Sequence, residues 1–224
     1  MSSNQIVIKT FSTTPDFYTK GPVITTTGAT NPVYMDPRKT FTFPDRLKII
    51  VKELAEFIKK EKINYDIILG GATCGIMIST ALGLLTGKPA GYVRKKTKEA
   101  GLKLAVEGYF KPEMKAIIVD DAIGHGDSKI QFIKNIQGVG MNAEWVLTTC
   151  SRYAMDHEDY KKISKEYKVK IYSLCALEEI ARYSLEHNII SKEAYQLLVW
   201  YGIDGLNWSK NPKKWQYFQN YLKK

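Results

Sequence analysis

Residues 115–128, "KAIIVDDAIGHGDS", decide how this chain is read. Four apolar residues, Ala116 to Val119, run straight into two adjacent carboxylates, Asp120 and Asp121. A short apolar run of this kind suits a strand buried on both faces of a parallel sheet. The turn Gly124-His125-Gly126-Asp127-Ser128 follows, and a helix is expected over 127–138. Ligands of open parallel sheets sit beyond the carboxyl ends of the strands. The first turn of the next helix offers free N–H groups and a positive dipole end to a phosphate. Carboxylates at the strand end can accept hydrogen bonds from sugar hydroxyls, or hold magnesium through water. Side by side, these two devices suit a sugar phosphate. A single Asp here would read as a helix cap; an acidic pair followed by Gly-x-Gly points to a ligand. Asp127 is expected to point outward and cap the helix, because a carboxylate beside a phosphate would repel it. His125 is either a donor to that phosphate or an exposed turn residue. His157 and His187 have no partners at a suggestive spacing and are expected on the surface.

Outward from this stretch the pattern alternates. Leu47, Ile50, Leu54, Phe57 and Ile58 recur at helical spacing, so 44–61 is expected to be an amphipathic helix, with Pro44 in its first turn. "YDIILG" (65–70) reads as a strand, "GGATCG" as a glycine-rich turn, and 76–87 as a buried helix closed by Gly87. Strands at 89–94, 143–151 and 169–174 bring the candidates to five. The expected fold is α/β: a doubly wound, mainly parallel five-stranded sheet flanked by helices. Residues 1–43 would form a small hood, 44–175 the core, and 176–224 a helical extension packed on that core, all within one domain. The stretch 25–40 reads as short strands and turns, 177–202 as two short helices, and the last residues as an amphipathic helix.

Composition narrows the partners. The 224 residues are 44% hydrophobic and carry a formal charge of +10. Basic charge favours polyanions. The lysines are scattered in pairs with no run of five, which fits a solvated surface better than a nucleic-acid groove. No apolar run approaches a membrane span, and the first residues do not look like a secretory signal. Cys74, Cys150 and Cys175 suggest neither a disulfide framework nor a zinc site, so a cytoplasmic setting is expected. The connection from Arg94 to Lys115 is long and carries Lys95, Lys96, Lys98, Lys103 and Lys111. It reads as a basic lid over an anion site or as a solvated surface hairpin.

"IIVDDAIGHGDS" resembles the 5-phosphoribosyl-1-diphosphate binding motif of type I phosphoribosyltransferases, and most of the chain resembles orotate phosphoribosyltransferases. "TTTGATNPVYMDPR" (25–38) is similar to that family's K-S-G…S-P-x-Y-x-D-x-R segment, "DIILGGATCGIMISTALG" (66–83) to its diphosphate loop and helix, and "YVRKKTKEAG" (92–101) to its Y-x-R-K-x-x-K-x-H-G lid. "VEG" (106–108) matches the segment that closes the lid, and "SLCALEEI…HNIIS" (173–191) resembles the family's C-terminal pattern.

The resemblance implies magnesium-dependent transfer of phosphoribosyl from the diphosphate donor to orotate, giving orotidine 5′-monophosphate and diphosphate. Asp120 and Asp121 would meet the ribose hydroxyls and, through these or water, the magnesium ion. Gly124, His125, Gly126, Asp127 and Ser128 would hold the 5′-phosphate. Ala72, Thr73, Cys74 and Gly75 would hold the diphosphate, and Tyr34, Thr26 and Arg152 would line the orotate side, with Arg152 on the carboxylate. Arg94, Lys95 and Lys98 would supply cations to the leaving group. The lid, 95–110, would reach the neighbouring site of a homodimer. Five positions depart from the pattern: Thr26 for a lysine, Ala100 for a histidine, Gly124 and His125 for hydroxyl residues, and Asp127 for a small residue. They leave two alternatives open: a phosphoribosyltransferase for another base, or a non-catalytic regulator that binds a phosphoribosyl ligand.

Overall fold

The structure is a computed structural model that describes residues 3–25, 28–96 and 104–224. The chain opens with helix α1 (Ser3–Ser12), the hairpin β1 (Tyr18–Ile24) and β2 (Thr30–Met35), the single turn α2 (Arg38–Phe41) and α3 (Pro44–Lys60). Then come β3 (Ile67–Gly71), α4 (Gly75–Thr86), β4 (Ala90–Val93), β5 (Val106–Glu107), β6 (Lys115–Ile123), α5 (Asp127–Gly138), β7 (Asn142–Ser151), α6 (Glu158–Tyr167) and β8 (Lys170–Ser173). Helices α7 (Leu177–Glu186) and α8 (Lys192–Ile203), a 3-10 turn at Trp208–Lys210, and α9 (Pro212–Leu222) follow.

The central sheet runs β5-β4-β3-β6-β7-β8. Its five longer strands are parallel, as expected, and the two-residue β5 pairs antiparallel with β4 at the edge. Two residues carry no readable periodicity, so this sixth strand is not legible in the sequence. Side chains alternate across the pleat. Ile68, Ile117, Val119 and Leu147 join one core with Val7 of α1, Ile50 and Leu54 of α3, and Ile78 and Leu82 of α4. Ile67, Leu69, Ala116, Ile118 and Val146 face the other way, onto Phe132, Ile133 and Ile136 of α5 and Ile163 of α6. The sheet is thus covered on both faces, as continuous apolar strands require.

Neither α1 nor α6 is expected from the pattern. The sequence of α1 is rich in β-branched residues, which favour strands locally. Tertiary burial overrides that preference, for Val7 and Phe11 are fully buried. α6 is mostly polar and buries only Tyr160 and Ile163, too thin a stripe to read. The hairpin β1–β2 packs with the C-terminal helices in a small third core that includes Val33, Ala181, Leu197, Trp208 and Phe218. Trp208 Nε1 donates to the Thr30 carbonyl at 2.6 Å, which satisfies the one polar atom of a buried indole. Among the described residues, no helix is long and apolar enough to cross a membrane.

Candidate active site

The chain passes from β3 into α4 on one face of the sheet and from β6 into α5 on the other. β3 and β6 are neighbours. Their loops therefore diverge at the carboxyl ends of the two strands and open a crevice there. β6 continues through Asp120 and Asp121 to Ile123, so strand pairing with β7 fixes both carboxylates. Thr149 Oγ1 and the Arg152 amide also donate to the Asp121 and Ile123 carbonyls, at 2.5 and 2.8 Å.

The two carboxylates have different surroundings. Asp120 is only 6% exposed. Its Oδ1 accepts the Asp121 amide at 2.9 Å and its Oδ2 accepts Lys129 Nζ at 2.5 Å. A Cβ on Gly71 would stand 2.8 Å from that Oδ2, so only glycine lets β3 pass this close. Asp121 faces the cleft, with Cys74, Tyr34 and Arg38 nearby. Burial first, and then the charge of Asp120, push its carboxyl up to about 6; Lys129 pulls the other way. Burial and the nearby carboxylates push the Cys74 thiol up, so it is not a thiolate nucleophile.

Two concavities meet here. The larger, about 1010 Å³, is lined by Tyr34, Asp121, Ile123, Arg152, Tyr153 and Tyr201 among others. The smaller, about 220 Å³, is formed by Ala122 and residues 124–129 with Thr25 and Arg152. Arg152 belongs to both. Its guanidinium lies 4.5 Å from the Tyr201 ring, and its buried Nε has no hydrogen-bond partner. A buried, unused donor beside a cleft is suited to an anionic ligand group.

The small recess matches the expected phosphate loop in position. Gly126 caps α5 with φ of 95°, and a Cβ there would lie 2.2 Å from Ile163, so glycine is required on both counts. Asp127 is not the cap, contrary to expectation. The left-handed turn at Gly126 moves the cap one residue earlier and leaves Asp127 exposed in the first turn of α5, lining the recess. His125 is the exposed turn residue of its two expected roles, and it is also held by two neighbours. Its Nδ1 lies 2.8 Å from Asp159 Oδ2 and its Nε2 3.1 Å from the Tyr153 hydroxyl. Both ring nitrogens are engaged, so the ring braces the loop from outside. The hydrogen bond from His125 holds the Asp159 carboxyl below its ordinary range. His157 is also not isolated: it stacks on Tyr153 with ring centroids 4.1 Å apart and lies 3.6 Å from Asp159. His187 is exposed, as expected, and stacks on Tyr183.

Other expected residues are spread more widely. Ala72, Thr73 and Cys74 form the turn between β3 and α4, with Gly75 as the first residue of the helix; the Ala72–Thr73 peptide is cis. Arg94 turns to Glu107 at 3.5 Å and to the Tyr92 hydroxyl at 3.0 Å. Neither Arg94 nor Lys95 lines the two concavities. Thr26, Lys98 and Ala100 lie outside the described residues. Two further residues emerge from the geometry. Arg38 grips Asp36 with Nε at 2.6 Å and reaches the Tyr34 hydroxyl at 3.3 Å. Lys129 pairs with Asp120 in the interior. A lysine on the buried side of a helix, just after two acidic residues, is the signal that could have revealed it.

Among the described residues, no group of three or more His, Cys, Asp or Glu could hold a metal ion. Magnesium is commonly held by one or two carboxylates together with substrate phosphates. Of the acidic pair, Asp121 is the one that faces the cleft, which fits an ion that arrives with a diphosphate. Asp120 does not fit as a second ligand, since it is buried and paired with Lys129.

The sheet order and the paired concavities at the β3/β6 switch point define a type I phosphoribosyltransferase fold. A solved orotate phosphoribosyltransferase from Aeropyrum pernix superposes with a TM-score of 0.66 at 21% identity, over 79% of this chain and 98% of that one. The orotate phosphoribosyltransferase of Pyrobaculum calidifontis is 31% identical over 160 residues, 71% of this chain and 81% of the relative. That of Listeria innocua is 29% identical over 188 residues, 84% of this chain and 85% of the relative. No family model matches the chain. The chain belongs to the orotate phosphoribosyltransferase family.

Proposed function

We propose that this protein transfers the phosphoribosyl group of 5-phosphoribosyl-1-diphosphate to orotate, releasing orotidine 5′-monophosphate and diphosphate in pyrimidine nucleotide synthesis. The observation that carries this reading is the pair of concavities joined at Arg152 and Asp121. The small recess takes the 5′-phosphate on the amides of residues 124–128 at the start of α5. Asp121 accepts from the ribose hydroxyls between the two spaces. Arg152 turns its unused Nε–H toward the orotate carboxylate, with Tyr34 and Tyr201 as walls.

In the reaction the ribose C1–O bond to diphosphate breaks and a C1–N bond forms. Positive charge develops on the ribose and negative charge on the diphosphate, so cations and water exclusion are needed. Magnesium supplies one cation. Arg94, Lys95 and Lys98 supply others, and the turn Ala72–Gly75 offers backbone donors to the leaving group. Orotate brings its own acidic N–H, so no strong general base is required. Neither Arg94 nor Lys95 lines its own cleft, which suits a lid, 95–110, that serves a second copy. The outward face of α4 supports such a homodimer, for Met77, Leu84 and Leu85 are exposed apolar residues on one helix. Three unpaired cysteines suit a cytoplasmic setting, and the chain is read as hood 1–43, core 44–175 and extension 176–224.

A panel of acceptor bases, with donor and magnesium, tests the assignment. Orotate should turn over well ahead of uracil and the purine bases; preference for a purine would reject the orotate reading. The exposed Asp127 carboxylate in the recess opposes a phosphate there and would weaken donor binding in a catalytic and a non-catalytic protein alike.

A further inference from the structure

Among the described residues, Asp120 and Lys129 are the charged residues that are buried, at 6% and 4% exposure. Lys129 is the third residue of α5, at the positive end of the helix dipole, where a cation is disfavoured. Burial of an ammonium adds a further cost unless it is paired and hydrogen-bonded. Two contacts offset both: Nζ donates to Asp120 Oδ2 and to the Ala122 carbonyl, each at 2.5 Å. The other oxygen of Asp120 accepts the Asp121 amide. The β3 backbone packs close beside Oδ2, since a Cβ on Gly71 would stand 2.8 Å from it. Asp120 is thus buried with a partner on each oxygen, whereas Asp121 next to it faces the cleft.

We propose that Lys129 is a positioning residue that takes Asp120 out of ligand binding. It splits the acidic pair into a structural carboxylate below and one ligand carboxylate, Asp121, above. The consequence is electrostatic as well as geometric. Two ionised aspartates would set a double negative charge against a donor that is itself a polyanion. With Lys129 in place the net charge is that of Asp121 alone. A lone carboxylate holds a divalent ion weakly without substrate, so the ion enters with the diphosphate. The inference rests on the phosphoribosyltransferase reading for its ligand, and on the buried pair for its geometry.

Manganese binding without substrates, followed by paramagnetic resonance, reads the charge of the site directly. Lys129→Met should bind Mn²⁺ about tenfold more tightly than the unaltered protein, because a nearby positive charge is gone. Asp120→Asn/Lys129→Met should lose that gain. Unchanged Mn²⁺ affinity in a folded Lys129→Met protein would overturn the proposal. If Lys129→Met fails to fold, Lys129→Gln keeps a hydrogen-bond donor without the charge and replaces it in the comparison. Calorimetry with donor and magnesium, without acceptor, separates the two aspartates. Asp121→Asn should weaken donor binding by about thirtyfold or more, and Asp120→Asn within the Lys129→Met background by less than about threefold. Equal losses would overturn the division of roles. If the unaltered protein binds no donor at all, the phosphoribosyltransferase reading fails, and the Mn²⁺ comparison still decides the role of Lys129.

Discussion

His125 Nδ1 lies 2.8 Å from Asp159 Oδ2, which ties the loop after β6 to the first turn of α6. The pair is partly exposed, with side-chain exposures of 49% and 31%, so it contributes little to overall stability. Its effect should fall on the loop it braces. Asp159→Ala is expected to raise the donor KM about threefold to tenfold while the melting temperature barely moves. A lowered melting temperature with an unchanged KM would show that the pair merely anchors α6.

The sheet was legible because parallel strands buried on both faces are continuous apolar runs, and each ends at a turn. The strand leading into Asp120 and Asp121 needed only that rule. Two kinds of feature were hidden. α1 and α6 depend on tertiary burial that their local composition opposes. The partner of His125 comes from elsewhere in the fold, since Asp159 is 34 positions away, while Lys129, on the next helix after Asp120, is read locally as part of a helix stripe. The capping role of Asp127 failed for a local reason, since Gly126 adopts a left-handed turn that the sequence permits but does not demand.

Asp121 should give the site opposite pH responses in binding and in stability. Its carboxyl is pushed up to about 6, above its ordinary range, so the folded state binds this proton more readily than the unfolded chain. Stability from this group therefore rises as pH falls through 6 and is lost above it. Donor binding needs the ionised form and should weaken over the same interval. Asp121→Asn should melt higher than the unaltered protein at pH 7, with the difference closing near pH 4. A difference independent of pH would contradict the raised value.

Arg152 is predicted to govern orotate. A lysine lacks the forked, planar donor set, so Arg152→Lys should lower kcat/KM for orotate by about a hundredfold. Donor affinity, measured by calorimetry, should fall far less. A loss confined to donor affinity would place Arg152 on the phosphate instead.

Shared active sites can be tested by complementation. Lys98→Ala and Asp121→Asn should each be nearly inactive alone. Mixed and allowed to exchange subunits, they should recover roughly a quarter of the unaltered activity, since half of the heterodimer sites are intact. Leu84→Asp, on the exposed face of α4, should abolish both the dimer seen by sedimentation and the recovery. No recovery between folded, dimeric variants would mean that each lid serves its own site.

The central claim is transfer of phosphoribosyl to orotate at the β3/β6 switch point. It is tested most directly by following orotate absorbance with donor and magnesium while released diphosphate is measured. The account predicts orotate loss matched one to one by diphosphate, and abolished by Asp121→Asn. Donor binding with no loss of orotate would contradict it and leave a phosphoribosyl-binding protein without this activity.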